Sequence, residues 1–277
     1  MGDGQLAGIS VVTLATNLPG PVAAARLTAL GADVTKVEPP FGDMAAIISP
    51  GMYQQLSAGQ RIVALDLKAP DGMADLHALL DAADVLLTSH RPSSLQRLGL
   101  DWPALTARHP RLSQVAIVGE PGAGAERPGH DLTYQAQNGL VDGDRMPRSP
   151  FADLMGGERA ATAVLAAVAD LRLHGRTSYC EMALSDVAAD LAIPYHQGAT
   201  KADGVLGGGL PVYGIYATQD GFVAVAALEP HFQERLAAAL SVELTRAALE
   251  ECFAARTDAE WVRWAAEYDI PLSPVVD

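Results

Sequence analysis

Three side chains in this sequence have the chemistry to move a proton or attack a carbonyl. The first is His130, in "PGHDLTYQAQNGL". An imidazole titrates near neutrality, so it can accept and return a proton under cell conditions. The same stretch also reads as a helix entry, with Asp131 in the first turn beside the positive end of the dipole. The second is Asp153, in "FADLMGG". A carboxylate backed by apolar residues can hold a raised pKa and act as an acid or a nucleophile. An ordinary helix N-cap calls for the same residue. The third is Glu229, which closes the apolar run of "VAVAALEPHF". Strand ends are common places for site residues, and equally for a solvated helix start.

A second group could hold an anion. Arg91, Arg97 and Lys68 fall at the carboxyl ends of predicted strands or one turn beyond. Ligands of open α/β sheets sit outside those ends, and phosphates need such cations. The alternative is plain surface charge. "LGGGLP" (206–211) lets backbone approach a ligand closely, or serves as a linker. No HExxH, GxSxG, kinase set or metal-ligand spacing occurs, and "EPGAGAERPG" lacks both GxGxxG and the lysine of a P-loop. Residue chemistry alone therefore reaches a cytoplasmic α/β enzyme with an anionic small ligand, and no metal.

The elements that must position these groups follow from periodicity. "GISVVTLA", "DVTKVEPP", "QRIVALDLK", "DVLLTSH" and "RLSQVAIVG" read as strands. "VAAARLTALGA", "PDGMADLHALLDAA" and the interrupted "RPSSLQRLGLDWPALTARHP" read as the helices between them. This alternation over residues 8–120 predicts a doubly wound parallel sheet. Two helices, "DLTYQAQNGL" and "GGERAATAVLAAVADLRLHG", then flank the loop that carries Asp153. Strands and helices beyond residue 200 predict a smaller α+β domain. The expected division is 1–199 and 200–277.

Composition sets the outer bounds. The chain has 277 residues, 49% hydrophobic but only 5% aromatic, so its core must rest mainly on aliphatic side chains. A net charge of −14 argues against sequence-independent nucleic-acid binding, which needs basic surface. The two cysteines, Cys180 and Cys252, suggest reduced thiols rather than a disulfide framework. The N-terminus lacks a signal-peptide pattern, and no apolar run reaches the roughly 18 residues of a spanning helix. The expectation is a cytoplasmic protein with no membrane partner.

Taken together and in order, "GISVVTLATNLPGPVAAARLTALGADVTKVEPP", "IVALDLKAPDG", "ADVLLTSHRPSSLQRLGLD", "HPRLSQVAIVG", "GHDLTYQAQNGL", "FADLMGG" and "VAVAALEPHF" resemble the family III CoA-transferases. That group also contains α-methylacyl-CoA racemase. The resemblance implies a Rossmann-like large domain, a small domain, and an interlocked homodimer. It implies an acyl-CoA substrate, with no cofactor beyond the CoA moiety. Transferases of the family use an aspartate nucleophile that forms an acyl anhydride and then an aspartyl-CoA thioester, and Asp153 matches it. Racemases keep that aspartate and add a histidine in a "GHD" stretch and a glutamate in an "EP" segment, which His130 and Glu229 match. The reading that follows is a racemase or epimerase of 2-methylacyl-CoA, with His130 and Asp153 on opposite faces of the α-carbon. Glu229 would fix the His130 tautomer, and the Asp131 backbone N–H would meet the enolate oxygen. By motif position, the CoA moiety is expected near Asn17, Leu18, Pro19, Leu65, Lys68, Ser89, His90, Arg91 and Arg97.

The sequence also departs from the family pattern. A segment that in the family returns to the large domain and locks the dimer does not follow "IPLSPVVD". Gln60 stands where the family usually has a basic residue, and the loop between His130 and Asp153 is short. Two alternatives to the racemase stay open: a CoA-transferase working through Asp153, and a non-catalytic CoA-binding homologue.

Overall fold

In the computed structural model, which describes residues 4–276, the chain forms two units, Met1–Leu191 and Ala192–Asp277. Residues 1–3, which share in the leader-peptide reading, lie outside the described residues. The division falls at residue 191, a few residues before the expected 199, because the helix after the last large-unit strand ends there.

The first unit alternates as the apolar runs predict. Its order is β1 (Ser10–Thr13), α1 (Pro19–Ala29), β2 (Asp33–Glu38), α2 (Met44–Ile48), α3 (Pro50–Ser57), β3 (Arg61–Ala64), α4 (Pro70–Asp81) and β4 (Val85–Thr88). It continues with α5 (Pro92–Leu98), α6 (Trp102–Arg108), β5 (Ser113–Val118), a 3-10 turn at Gly122–Glu126, α7 (Asp131–Gln137), α8 (Phe151–His174), β6 (Tyr179–Ala183) and α9 (Leu184–Leu191). All six strands are parallel, in the order β3-β2-β1-β4-β5-β6. The strand order reverses between β1 and β4, so the loops leaving both strands diverge and open a crevice at the carboxyl edge.

Strand alternation splits the core in two. Val11, Val85, Leu87, Val115 and Ile117 join the α1 and α8 side chains on one face. Val12, Leu86, Leu76, Leu80 and Leu105 pack on the other. Both faces are covered, so the central strands are apolar on both sides, with β4 and β5 buried throughout. The helices α2 and α3 were not predicted. They have no buried residue, so no apolar stripe facing a core marks them in the sequence.

The second unit has α10 (Ile193–His196), β7 (Tyr213–Ala217), β8 (Phe222–Ala226), α11 (Pro230–Leu240), α12 (Arg246–Phe253), α13 (Asp258–Tyr268) and β9 (Leu272–Pro274). Its sheet is antiparallel, in the order β7-β8-β9. The few aromatic residues of the chain gather here: Trp261 lies edge-on to both Phe253 and Trp264, with ring centroids 4.9 and 5.1 Å away.

Close packing of α1 on α8 depends on the second glycine of "FADLMGG". A Cβ on Gly157 would stand 2.5 Å from Val22 Cγ1 and 2.8 Å from the Pro19 carbonyl oxygen. Backbone cannot yield as a flexible side chain can. Gly157→Ala is therefore expected to remove about 1–3 kcal/mol of stability in urea denaturation followed by circular dichroism. Gly51→Ala, in α3 with no atom within 4 Å of the added methyl, should be neutral or stabilising by up to about 1 kcal/mol.

Candidate active site

The crevice is stitched together at its base. The Ser89 hydroxyl accepts from the Thr16 N–H at 2.9 Å and donates to the Thr16 carbonyl at 3.1 Å. The loops after β1 and β4 are thereby tied across the switch point. The same bonds commit the Ser89 hydroxyl to the protein. Asn17 follows in the left-handed region, at φ 61. Asparagine tolerates this conformation better than most residues, and it turns the chain into α1.

Three cavities adjoin in the first unit. The smallest, about 220 Å³, is lined by His130, Asp153, Tyr134, Arg91, Arg127 and Ser89 among others. Asn17 and Pro19 also border it. A larger space of about 1210 Å³ is bordered by Leu65, Lys68, Arg97 and Thr16. His90 lines both of these cavities. A third, of about 370 Å³, is apolar, lined by Phe41, Met44, Ile48, Met52 and Leu56, and shares Asn17 with the smallest. Leu18 and Gln60 border this apolar space. Every residue expected near CoA thus lines one of three connected cavities.

His130 is exposed and sits at the N-cap of α7, where Thr133 Oγ1 accepts its backbone N–H at 3.1 Å. The "GHD" stretch is a helix entry, and His130 lines a cavity. Gly129 has a steric reason. A methyl there, or on Gly119, would overlap the Tyr134 hydroxyl. Tyr134 is 2% exposed, and its hydroxyl lies between these two glycines at the cavity wall.

Asp153 stands in the first turn of α8, whose N-cap, Pro150, offers no side-chain acceptor. The acceptor comes from elsewhere. Asp131 Oδ1 takes the Asp153 N–H at 3.0 Å, and Asp131 Oδ2 takes Gln135 Nε2 at 2.5 Å. Asp131 is buried, so its contribution extends beyond the backbone N–H expected of it. That N–H lies at the first position of α7, where a helix provides no acceptor of its own. Burial, aided by the charge of Asp131, pushes the Asp153 carboxyl up to about 7. Burial and the charge of Asp153 raise the Tyr134 phenol. Burial alone holds His90 below the usual imidazole range, and its Nδ1 is buried without a partner.

The helix that carries Arg97 is tied to the turn before His130. Ser93, at the start of α5, donates from its N–H at 2.6 Å and its hydroxyl at 2.8 Å to Glu126 in the 3-10 turn. These two bonds, then Arg91 and Arg97, hold the Glu126 carboxyl below its ordinary value. Arg127 pairs with Glu120 at 2.9 Å. At the apolar cavity, Lys36 is buried between Glu38 at 2.8 Å and Asp43 at 2.5 Å, and Tyr53 donates to Glu38 at 2.8 Å. Asp43 also caps α2 through the Ala45 N–H. Glu229 belongs to the second unit, exposed, at the N-cap of α11.

Sequence reasoning missed Tyr134, Arg127, the Asp131 carboxylate and the apolar side chains of α2 and α3. Only Tyr134 and Gln135 carried a signal, as helical neighbours of His130 and Asp131 four residues apart. Among the described residues, no group of three or more His, Cys, Asp or Glu is placed to hold a metal ion. None of their helices is long and apolar enough to cross a membrane.

Comparison with known proteins places this geometry in context. Residues 6–277 match the model of CoA-transferase family III. Human alpha-methylacyl-CoA racemase is 30% identical over 303 residues, spanning 98% of this chain and 78% of that protein. The succinate–glutarate CoA-transferase of Agrobacterium fabrum is 32% identical over 205 residues, 66% of this chain and 51% of that one. Among solved structures, Rv3272 of Mycobacterium tuberculosis superposes with a TM-score of 0.84 at 26% identity, covering 99% of this chain and 84% of its own. A CAIB/BAIF family protein from Brucella suis gives 0.82 at 25% identity, covering 100% and 85%.

The raised pKa of Asp153 has a thermodynamic signature. Below the ordinary carboxyl value of 3.8 both folded and unfolded chains are protonated, and the group costs nothing. As pH climbs from there through about 7, the unfolded chain ionises first and the folded state loses stability. Above that range the loss is complete. Asp153→Asn should therefore raise the thermal midpoint at pH 8 by at least about 2 °C. The gain should shrink as pH falls toward 5. A gain that does not vary with pH would contradict the shift.

Proposed function

The chain belongs to CoA-transferase family III, and from that premise we propose that it is an acyl-CoA racemase or epimerase. The reaction is a 1,1-proton transfer at the α-carbon of a 2-methylacyl-CoA thioester. One observation carries this reading: His130 and a carboxyl that titrates near 7, Asp153, line the same small cavity. Inversion needs one group to remove a proton and another to supply one on the opposite face, both within reach of neutral pH.

In one direction, neutral His130 takes the α-proton, and the C–H electron pair moves into an enolate. Protonated Asp153 then delivers its proton to the other face and becomes a carboxylate. In the reverse direction the two exchange roles. Negative charge gathers on the thioester oxygen, and the Asp131 N–H at the first position of α7 suits it as a donor. Losing such a donor typically slows a reaction about 10²–10³-fold. Lys68, Arg91 and Arg97 suit the phosphates of CoA. The apolar cavity beside Asn17 suits a branched acyl group.

A transferase reading is favoured by a different observation. Asp153 is a cavity-lining carboxylate, and relatives as similar as the racemases are named CoA-transferases. In that chemistry the Asp153 carboxylate attacks the thioester carbonyl and CoA leaves as the thiolate. We also read the protein as a cytoplasmic homodimer: Cys180 and Cys252 are both free thiols, which suits a reducing compartment. Light scattering at micromolar concentration should return twice the chain mass.

In D₂O, the wild type is expected to wash deuterium into the α-position of a 2-methylacyl-CoA. His130→Ala should lower that rate by about 10²–10⁴-fold. No exchange with any branched acyl-CoA would sink the racemase. Hydroxylamine separates the alternatives, since only a transferase gives an Asp153 hydroxamate after acyl-CoA addition. Tight CoA binding with neither outcome would leave a non-catalytic binding protein.

A further inference from the structure

Asp131 enters the racemase reading only through its backbone N–H, yet its side chain is the more heavily engaged part. Its carboxylate is buried and lies between two helices, accepting the Asp153 N–H from α8 and the Gln135 amide from its own helix. The first bond supplies the side-chain cap that Pro150 cannot give to α8. It also brings a fixed negative charge to the turn that carries the Asp153 carboxyl. We infer that the Asp131 side chain is a positioning residue that keeps Asp153 protonated, and so able to act as an acid, at neutral pH.

The other groups around Asp153 do not supply this effect. Tyr134, on α7, is uncharged at neutral pH. His90, after β4, is held neutral by burial. Arg91, Arg127 and His130 also line the cavity and would lower the Asp153 value or leave it unchanged. Arg127 is paired to Glu120. The positive end of α8 likewise favours the carboxylate. Against these, only burial and Asp131 push upward. Asp131 accepts two N–H bonds, whereas the Asp153 carboxyl accepts none among the described residues.

The inference rests on Asp153 being the acid–base group of the cavity, but its test needs no turnover. Protein labelled with [¹³C]aspartate is titrated by NMR, and the Asp153 signal is assigned by its absence from Asp153→Asn. The wild-type midpoint is expected near 7. In Asp131→Asn the side-chain oxygen still accepts the Asp153 N–H. The Gln135 amide can rotate to offer its otherwise unpartnered Oε1 to the new NH₂, giving up its 3.3 Å bond to the Ser149 carbonyl. The Asp153 midpoint should fall by at least about half a pH unit. Asp131→Ser, smaller and also neutral, should shift it in the same direction and serves if the asparagine variant does not fold. The limb of log(kcat/KM) for deuterium wash-in that reports Asp153, basic for one enantiomer and acidic for the other, should move with it. A folded, neutral variant whose Asp153 midpoint stays at the wild-type value overturns the inference. A midpoint that falls in a protein showing no wash-in rejects the racemase and leaves the inference standing.

Discussion

The site depends on one hydrogen bond between helices that the chain joins only through a loop. The Asp131 carboxylate accepts the Asp153 N–H, so the first turn of α7 and the first turn of α8 share a single anion. Without it, the Asp153 N–H in the first turn of α8 would be unmet, in a partly buried position where that costs about 1–3 kcal/mol. With it, His130 and Asp153 are set in relation to each other, since each lies within two residues of the bond.

The rest of the first unit holds that bond in place. The parallel sheet reverses its order between β1 and β4, and the Ser89–Thr16 hydrogen bonds keep the crevice from spreading. Gly157 lets α8 settle directly on α1, and Gly119 and Gly129 let Tyr134 sink to the cavity wall. Ser93 and Glu126 fasten the loop before His130 to the helix that carries Arg97. On the other side, the buried Lys36 with Glu38 and Asp43 anchors the segment that leads into the exposed apolar helices α2 and α3. His130 and Asp153, the cations and the apolar wall are therefore built from one scaffold but tethered by separate bonds.

Much of this scaffold was legible in the sequence because burial leaves a period. The runs "SVVT", "VLLT" and "SQVAIV" are apolar on both faces, and they are strands. The order of the strands was not legible, since a run of Val and Leu does not say which neighbour it pairs with. Helices α2 and α3 left no trace because their apolar side chains point outward: in α2, Ile47 is 69% exposed and Ile48 77%. His130 and Asp153 could be singled out from their neighbours and from family motifs. The Asp131 side chain could not, because its value comes from a residue 22 positions away, brought near by folding. Beside a conspicuous histidine, its local sequence says only helix start.

The racemase and transferase readings make demands on the same aspartate, and those demands conflict. A nucleophile must be ionised, and it gains from cations and from the helix dipole at α8. An acid must hold its proton until the enolate forms, and it gains from burial and a neighbouring anion. In this protein the second pair of influences prevails, and Asp153 is balanced near neutrality. On the racemase reading, a neutral residue at position 131 would tilt Asp153 from holding its proton toward the ionised state that nucleophilic attack needs.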